Sequence, residues 1–277
     1  MIKVCPCLPV LARGYRTGQL LVGEIRRRVL LAWSYRASWL TSLVLFYVGF
    51  LALIFFFDQI AGGYGNTDQI MTAIGYLTWF CASGIIVGIS DAIVEEARNG
   101  TLEQIYLSPA PPALIFFGWS LAELLLSGLG TAVMGTALIF TLQLGIPLKA
   151  SLLPLFLLTL VGVYGFAYLL GGLALIFKQV GDLPGFIANI LIFLTGAIVP
   201  VEGFPHPFRL VAYALPTTQG ISLMRAVLLE GKDWPQLLAE GGLPGLLINS
   251  AIYLALGLLA FAWCERIAKE RGSLGHY

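Results

Sequence analysis

Charge is what this chain has least of. Asp, Glu, Lys and Arg make up 11% of its 277 residues, against about 25% in typical soluble domains, which excludes a water-soluble globule. Histidine is scarcer still, with only His206 and His276, so a catalytic or metal centre has few groups that could converge. No Gly-x-Ser-x-Gly, paired-aspartate or His-Glu-x-x-His pattern occurs. The four cysteines, Cys5, Cys7, Cys81 and Cys264, make no disulfide framework. Cys5-Pro-Cys7 has no second Cys/His pair near it and reads as free thiols rather than a metal site. The alternating segments of about 10 residues that mark a membrane β-barrel are missing. So is a phosphate-binding loop, whose Gly-x-x-x-x-Gly-Lys-Ser/Thr pattern surrounds phosphates with backbone amides and a lysine. The one Gly-Lys, Gly231-Lys232, is followed by Asp233.

What is abundant is apolar sequence in long runs. Hydrophobic residues make up 58% of the chain and mean hydropathy is +0.87. Runs of about 18 residues or more suffice to cross ~30 Å of hydrocarbon as a helix. Six spans are predicted, over 39–57, 70–89, 113–142, 152–177, 183–199 and 243–263, which makes the fold all-α and polytopic. The third, at 30 residues, would be about 45 Å long and must tilt or protrude. The fifth is the shortest and is bracketed by Pro184 and Pro200.

The basic residues orient these spans, because Lys and Arg accumulate on the cytoplasmic side. Twelve of the sixteen fall in the N-terminal segment, the second-to-third and fourth-to-fifth loops and the C-terminal tail; Lys149, Arg209, Arg225 and Lys232 fall on the other side. Both termini are therefore expected in the cytoplasm. The first apolar run follows a basic leader too long for a cleavable signal and lacks a small-residue cleavage site. Within residues 1–36, Leu21, Ile25, Val29, Ala32 and Trp33 recur on one helical face, while Glu24, Arg27 and Arg28 project elsewhere. A basic amphipathic helix of this kind lies in the headgroup region. Gly84 with Gly88, and Gly171 with Gly172, would let helices approach closely.

Two connections stand out from this single domain of 277 residues. Residues 91–109 form a polar island between apolar spans. The second span is predicted to run past the membrane through Val94 and Ala97, with Glu95, Glu96 and Arg98 in water. Gly100 ends it in the left-handed conformation that glycine adopts readily. Thr101-Leu-Glu-Gln104 has the capping-box pattern, so a short helix is expected from Thr101, with Leu102, Ile105 and Tyr106 presented beside Glu103. It closes before Ser108-Pro109, since a residue preceding proline avoids the helical region. On the opposite side, residues 200–242 carry too many apolar residues for a soluble loop and are cut by Pro205, Pro207 and Pro216. An amphipathic or re-entrant helix pair is expected there.

Glu96-x-x-x-Gly100-Thr101-Leu102-Glu103-x-x-x-x-Ser108-Pro109 resembles the second-to-third-span loop of type-two ATP-binding-cassette permeases, the membrane subunits of bacterial exporters. Leu215-Pro-Thr-Thr-Gln-Gly-Ile-Ser-Leu-Met-Arg225 is similar to the stretch those permeases carry between spans five and six. The resemblance implies a cytoplasmic coupling helix that docks on an ATPase subunit through Glu95, Glu96, Gly100, Thr101, Leu102 and Glu103, and outer re-entrant helices over about 202–230. It further implies two copies of a separate ATPase that bind ATP and Mg, and a second permease copy as a homodimer or close heterodimer. The setting would be the lipid of a bacterial plasma membrane. Nucleic acid is not among the expected partners, and no cofactor is expected in this chain.

Glu123 is the one carboxylate clearly inside a span. Such groups are costly in lipid and face a bundle interior or an aqueous cavity, so a pathway or dimer-interface contact and a packing role are both open. Asn189 and Asn249 are milder cases of the same kind. Two other function classes compete: an ion-coupled secondary transporter centred on Glu123, and an integral membrane lipid-modifying enzyme. The first would bring inverted repeats and broken midplane helices, which the sequence does not display; the second would need convergent catalytic groups.

Overall fold

With no water in hydrocarbon, a spanning backbone must satisfy its own N–H and C=O groups, and the described residues do so with helices and no strand. These residues are 10–61, 65–108, 110–145, 149–176, 182–199 and 201–270 of a computed structural model. The expectations for Cys5, Cys7, Pro109, Lys178, Pro200, Arg271 and His276 fall outside them. The order is α1 (Val10–Ser34), α2 (Arg36–Ala61), α3 (Asn66–Arg98), α4 (Leu102–Leu107), α5 (Pro112–Leu142), α6 (Leu152–Ile176) and α7 (Leu183–Leu194). A 3₁₀ turn (Val201–Gly203) follows, then α8 (His206–Ala214), α9 (Pro216–Leu229), α10 (Trp234–Ala239) and α11 (Gly242–Glu270).

Five helices, α2, α3, α5, α6 and α11, are long and apolar enough to cross a membrane. The fifth predicted span takes another form. Its helix, α7, has 12 residues and is about 18 Å long, short of the ~30 Å of hydrocarbon. The physical reason lies just past its end, where Gly196 adopts φ +73°, a conformation in which an α-helix cannot continue. The chain turns there so tightly that a Cβ on Gly196 would stand 2.4 Å from Val201 Cγ2.

α7 and α9 pack against the N-terminal half of α3, while α8 packs on α7 and α9, and α10 on α11. Trp79 Nε1 donates to the Ala188 carbonyl at 2.6 Å and pins α7. Arg225 on α9 donates to the Met71 carbonyl from Nε at 3.1 Å and from Nη2 at 2.8 Å, and to the Ala197 carbonyl at 3.2 Å. The helices expected in the 200–242 region are thus present. Pro207 and Pro216 sit in the first turns of α8 and α9, where a missing amide donor costs little. α10 was not foreseen. Its first turn is held by Gln236 Oε1, which accepts from the Asp233 amide at 3.1 Å.

Lipid offers no hydrophobic drive to bring helices together, so close van der Waals contact must do it, and small residues permit that contact. The tightest crossing is α6 on α11. A Cβ on Gly165 would stand 2.1 Å from the Tyr253 carbonyl oxygen, and one on Gly257 would stand 1.9 Å from that of Gly165. Gly84 serves the same purpose between α3 and α5, where its missing Cβ leaves room for Ser127. α3 is the axis, packed by α5, α6, α7 and α9.

Gly165→Val or Gly257→Leu is expected to push α6 and α11 apart and destabilise the protein by about 3 kcal/mol. The midpoint of thermal unfolding in detergent checks this. A wild-type midpoint for both variants would contradict the backbone contact.

Candidate functional site

α3 outlasts its apolar stretch and ends in a defined turn. Gly100 takes φ +68°. Its amide donates to the Ala97 carbonyl at 3.2 Å, and the Thr101 amide donates to the Glu96 carbonyl at 3.0 Å. This is the Schellman arrangement, which closes the last orphan carbonyls of a helix around a left-handed glycine. The role read for Gly100 from its sequence is therefore present in the backbone.

The capping box read at Thr101 is not. Thr101 has φ −89° and ψ −12°, and its side chain makes no cap bond to α4. Its hydroxyl turns back instead, donating to the Glu96 carbonyl at 3.2 Å and to the Glu96 carboxylate. The left-handed turn at Gly100 directs the threonine toward the helix behind it, where two acceptors already wait. The expected face of α4 also changes. Leu102 is 2% exposed and points into the core, Ile105 and Tyr106 are half-buried, and Leu107 at 78% exposure is the large apolar residue that faces out. Glu95 and Glu103 are exposed as expected, but Glu96 is not simply solvated.

Glu96 belongs to a chain of charges that reaches α1 and α5. Arg27 Nη2 donates to Glu96 Oε1 at 3.0 Å, and Arg27 Nε lies 3.4 Å from Glu24 Oε2. Glu24 in turn accepts from Trp119 Nε1 at 3.1 Å. Arg28 lies across the Trp119 ring, 4.4 Å from its centroid, with Nη1 3.6 Å from Glu123 Oε1. Burial lowers the pKa of Arg28, while Glu123 pulls it back up. Glu24 and Arg28 are four apart on α1, and Trp119 and Glu123 are four apart on α5, so each pair lies on one helical face. The two faces meet where Gly118 lets α1 approach; a Cβ there would stand 3.1 Å from Glu24 Cβ. While Val29 and Trp33 of the expected apolar face are exposed, Glu24 and Arg28, expected off that face, pack on α5. They turn inward because α5 offers an indole donor and a carboxylate.

Glu123 also presses on α3. A Cβ on Gly88 would stand 2.4 Å from Glu123 Oε2, which places the carboxylate at the junction of α1, α3 and α5. Asn249 is committed elsewhere, its amide donating to the Ala214 carbonyl at the end of α8 at 3.0 Å. Asn189 is exposed on α7. The structure does not gather these three residues into one site.

α11 completes this end of the bundle. Lys269 Nζ stands 4.6 Å over the Tyr106 ring and 2.7 Å from Glu265 Oε1. Burial, with Glu265 nearby, raises the Tyr106 phenol above its ordinary pKa. Reading the sequence segment by segment missed Glu24, Arg28, Trp119, Lys269 and Leu107 as members of this end. The facing four-residue spacings of α1 and α5 were the one available signal for the first three.

Residues 57–264 match the protein family described as "ABC-2 family transporter protein". The chain is also 31% identical over 172 residues to the "Inner membrane transport permease YhhJ" of Escherichia coli (strain K12), covering 57% of this chain and 44% of that protein. The protein of the same name in Shigella flexneri matches with the same identity and coverage. The chain spans less than half the length of these curated relatives.

Removing one partner of a shielded ion pair strands the other. The Arg28 and Glu123 side chains are 14% and 15% exposed, so Arg28→Met and Glu123→Gln are each expected to cost about 2 kcal/mol, below the ~3–5 kcal/mol of a fully dry pair. Denaturant unfolding of the singles and the double in detergent measures it. The double should cost clearly less than the sum, and strict additivity would mean the pair is not coupled.

Proposed function

The chain belongs to the ABC-2 transporter family, and we propose from that premise that it is the membrane permease of an ATP-driven exporter. Its α4 end faces the cytoplasm, with both termini on that side of a bacterial plasma membrane. α7 completes a set of six membrane segments as a half-length fifth member, with α8 and α9 re-entering from the outer surface. ATP and Mg bind to partner subunits, two ATPase copies serving two permease copies as a homodimer or close heterodimer. The permease itself has no catalytic group in this reading. Its substrate is an amphiphile, such as a lipophilic drug, a lipid or a lipid-linked glycan.

One observation carries the proposal: an exposed docking face mounted on a rigid turn. Glu95, Glu103 and Leu107 present charge and apolar surface to the outside. Gly100, Thr101 and Glu96 lock that face to the end of α3, and Leu102 anchors it from beneath. A push on α4 therefore moves α3, and through Arg27 and Arg28 it also moves α1 and α5. Glu123 acts in this linkage as a packing partner with a fixed countercharge, which supports a mechanical role over ion coupling.

Gly100→Pro removes a φ that proline cannot adopt. It is expected to abolish amphiphile-stimulated ATPase activity of the reconstituted complex while membrane insertion persists. Leu107→Asp or Glu103→Ala should weaken co-purification of the ATPase by about tenfold, the range of a single interface anchor worth 1–2 kcal/mol. Full stimulation by the Gly100→Pro complex would sink the coupling role, and absence of any co-purifying ATPase from the wild type would sink the transporter reading itself.

A further inference from the structure

α5 and α6 both pack on α3, yet they separate from each other along much of their length. They are joined near Ser120, whose carbonyl accepts from Tyr164 Oη at 2.7 Å and whose hydroxyl shares a 2.7 Å hydrogen bond with Tyr168 Oη. From there toward the α5–α6 connection the helices enclose a groove of about 770 Å³, bounded by α3 and closed off by Met224 and Leu228 of α9. It runs from Leu124 to Ile139 along α5, about 22 Å at the helical rise, which exceeds half the ~30 Å of hydrocarbon.

The chemistry of the lining selects an occupant. Thr78, Thr131 and Thr136 reach the groove, but each commits its hydroxyl to its own helix, donating to Ile74, Ser127 and Ala132 carbonyls at 2.8, 2.7 and 2.7 Å. What remains is hydrocarbon over the whole length, with one cation, Lys149, at the mouth. No carboxylate among the described residues pairs with that ammonium. Gly128 leaves open space where a side chain would project. A thin apolar chain with an anionic head fits both the shape and the charge.

We propose that this groove is a binding site for an anionic phospholipid, its acyl chain between α5 and α6 and its phosphate at Lys149. The site is distinct from the coupling end and holds its lipid as a resident ligand. A lysine at the surface favours an anionic over a zwitterionic headgroup by about fivefold.

Native mass spectrometry tests this on the full-length chain released from nanodiscs of equimolar phosphatidylglycerol and phosphatidylcholine. The wild type should retain phosphatidylglycerol about fivefold over phosphatidylcholine. Gly128→Phe should lose the retained lipid with an unchanged unfolding midpoint, and Lys149→Gln should keep a lipid but lose the headgroup preference. No retained lipid in the wild type, undiminished retention in Gly128→Phe, or an unaltered preference in Lys149→Gln would each overturn the assignment. So would a Leu129→Cys variant that forms an interchain disulfide in membranes, which would make the groove a contact between copies.

Discussion

A carboxylate in an apolar helix needs a countercharge, and most of the α4 end of this molecule is arranged around that need. Glu123 lies on α5, and Arg28 comes to it from α1 with Nη1 at 3.6 Å. Delivering Arg28 lays α1 along α5, which sets Glu24 against Trp119 and Arg27 against Glu96. Glu96 then holds the hydroxyl of Thr101, so the turn at Gly100 and the short α4 behind it inherit their position from the same contacts. One partly buried ion pair therefore organises four helices. Such a pair contributes little net stability compared with an apolar substitute, but it specifies a single arrangement when its loss would strand a charge.

The rest of the bundle obeys a different constraint. Where lipid surrounds helices, association depends on how closely backbones meet. Gly165 and Gly257 bring α6 and α11 into backbone contact, while Gly84 and Gly88 give α5 its seat on α3. The division of labour is spatial. Glycine contacts fix the spanning layers, polar contacts fix the two ends, and α5 and α6 part where neither kind of contact joins them. That separation is the groove. The opposite end shows the same logic, with Arg225 reaching the Met71 carbonyl of α3 and the Ala197 carbonyl in the turn at Gly196.

How legible this was depended on whether a residue's partner lay nearby in sequence. The helical spans followed from hydropathy alone, and the left-handed Gly100 followed from its place between two helical patterns. The capping box at Thr101 was a fair local reading that lost to Glu96, five residues back, because the turn aims the hydroxyl that way. The fifth span failed as a continuous helix for a similar reason: its composition is largely apolar from end to end, and only the close approach of Val201 to Gly196 reveals the bend. Leu102 and Leu107 are the same residue type five positions apart, one buried and one exposed, and nothing in a six-residue helix tells which face will be covered.

Sequence by itself determined that this chain is all-helical, crosses a membrane several times and carries no Gly-x-x-x-x-Gly-Lys-Ser/Thr pattern in its 277 residues. Span length, charge scarcity and the missing phosphate loop are properties of the chain that no folding alters. Its family, too, is written in the residues. Tertiary structure decided which charges meet, because α2, α3 and α4 lie between Arg28 and Glu123 in the chain and only packing brings the two together. It also decided where the apolar surface stays open, since a groove is the space between two helices and belongs to neither.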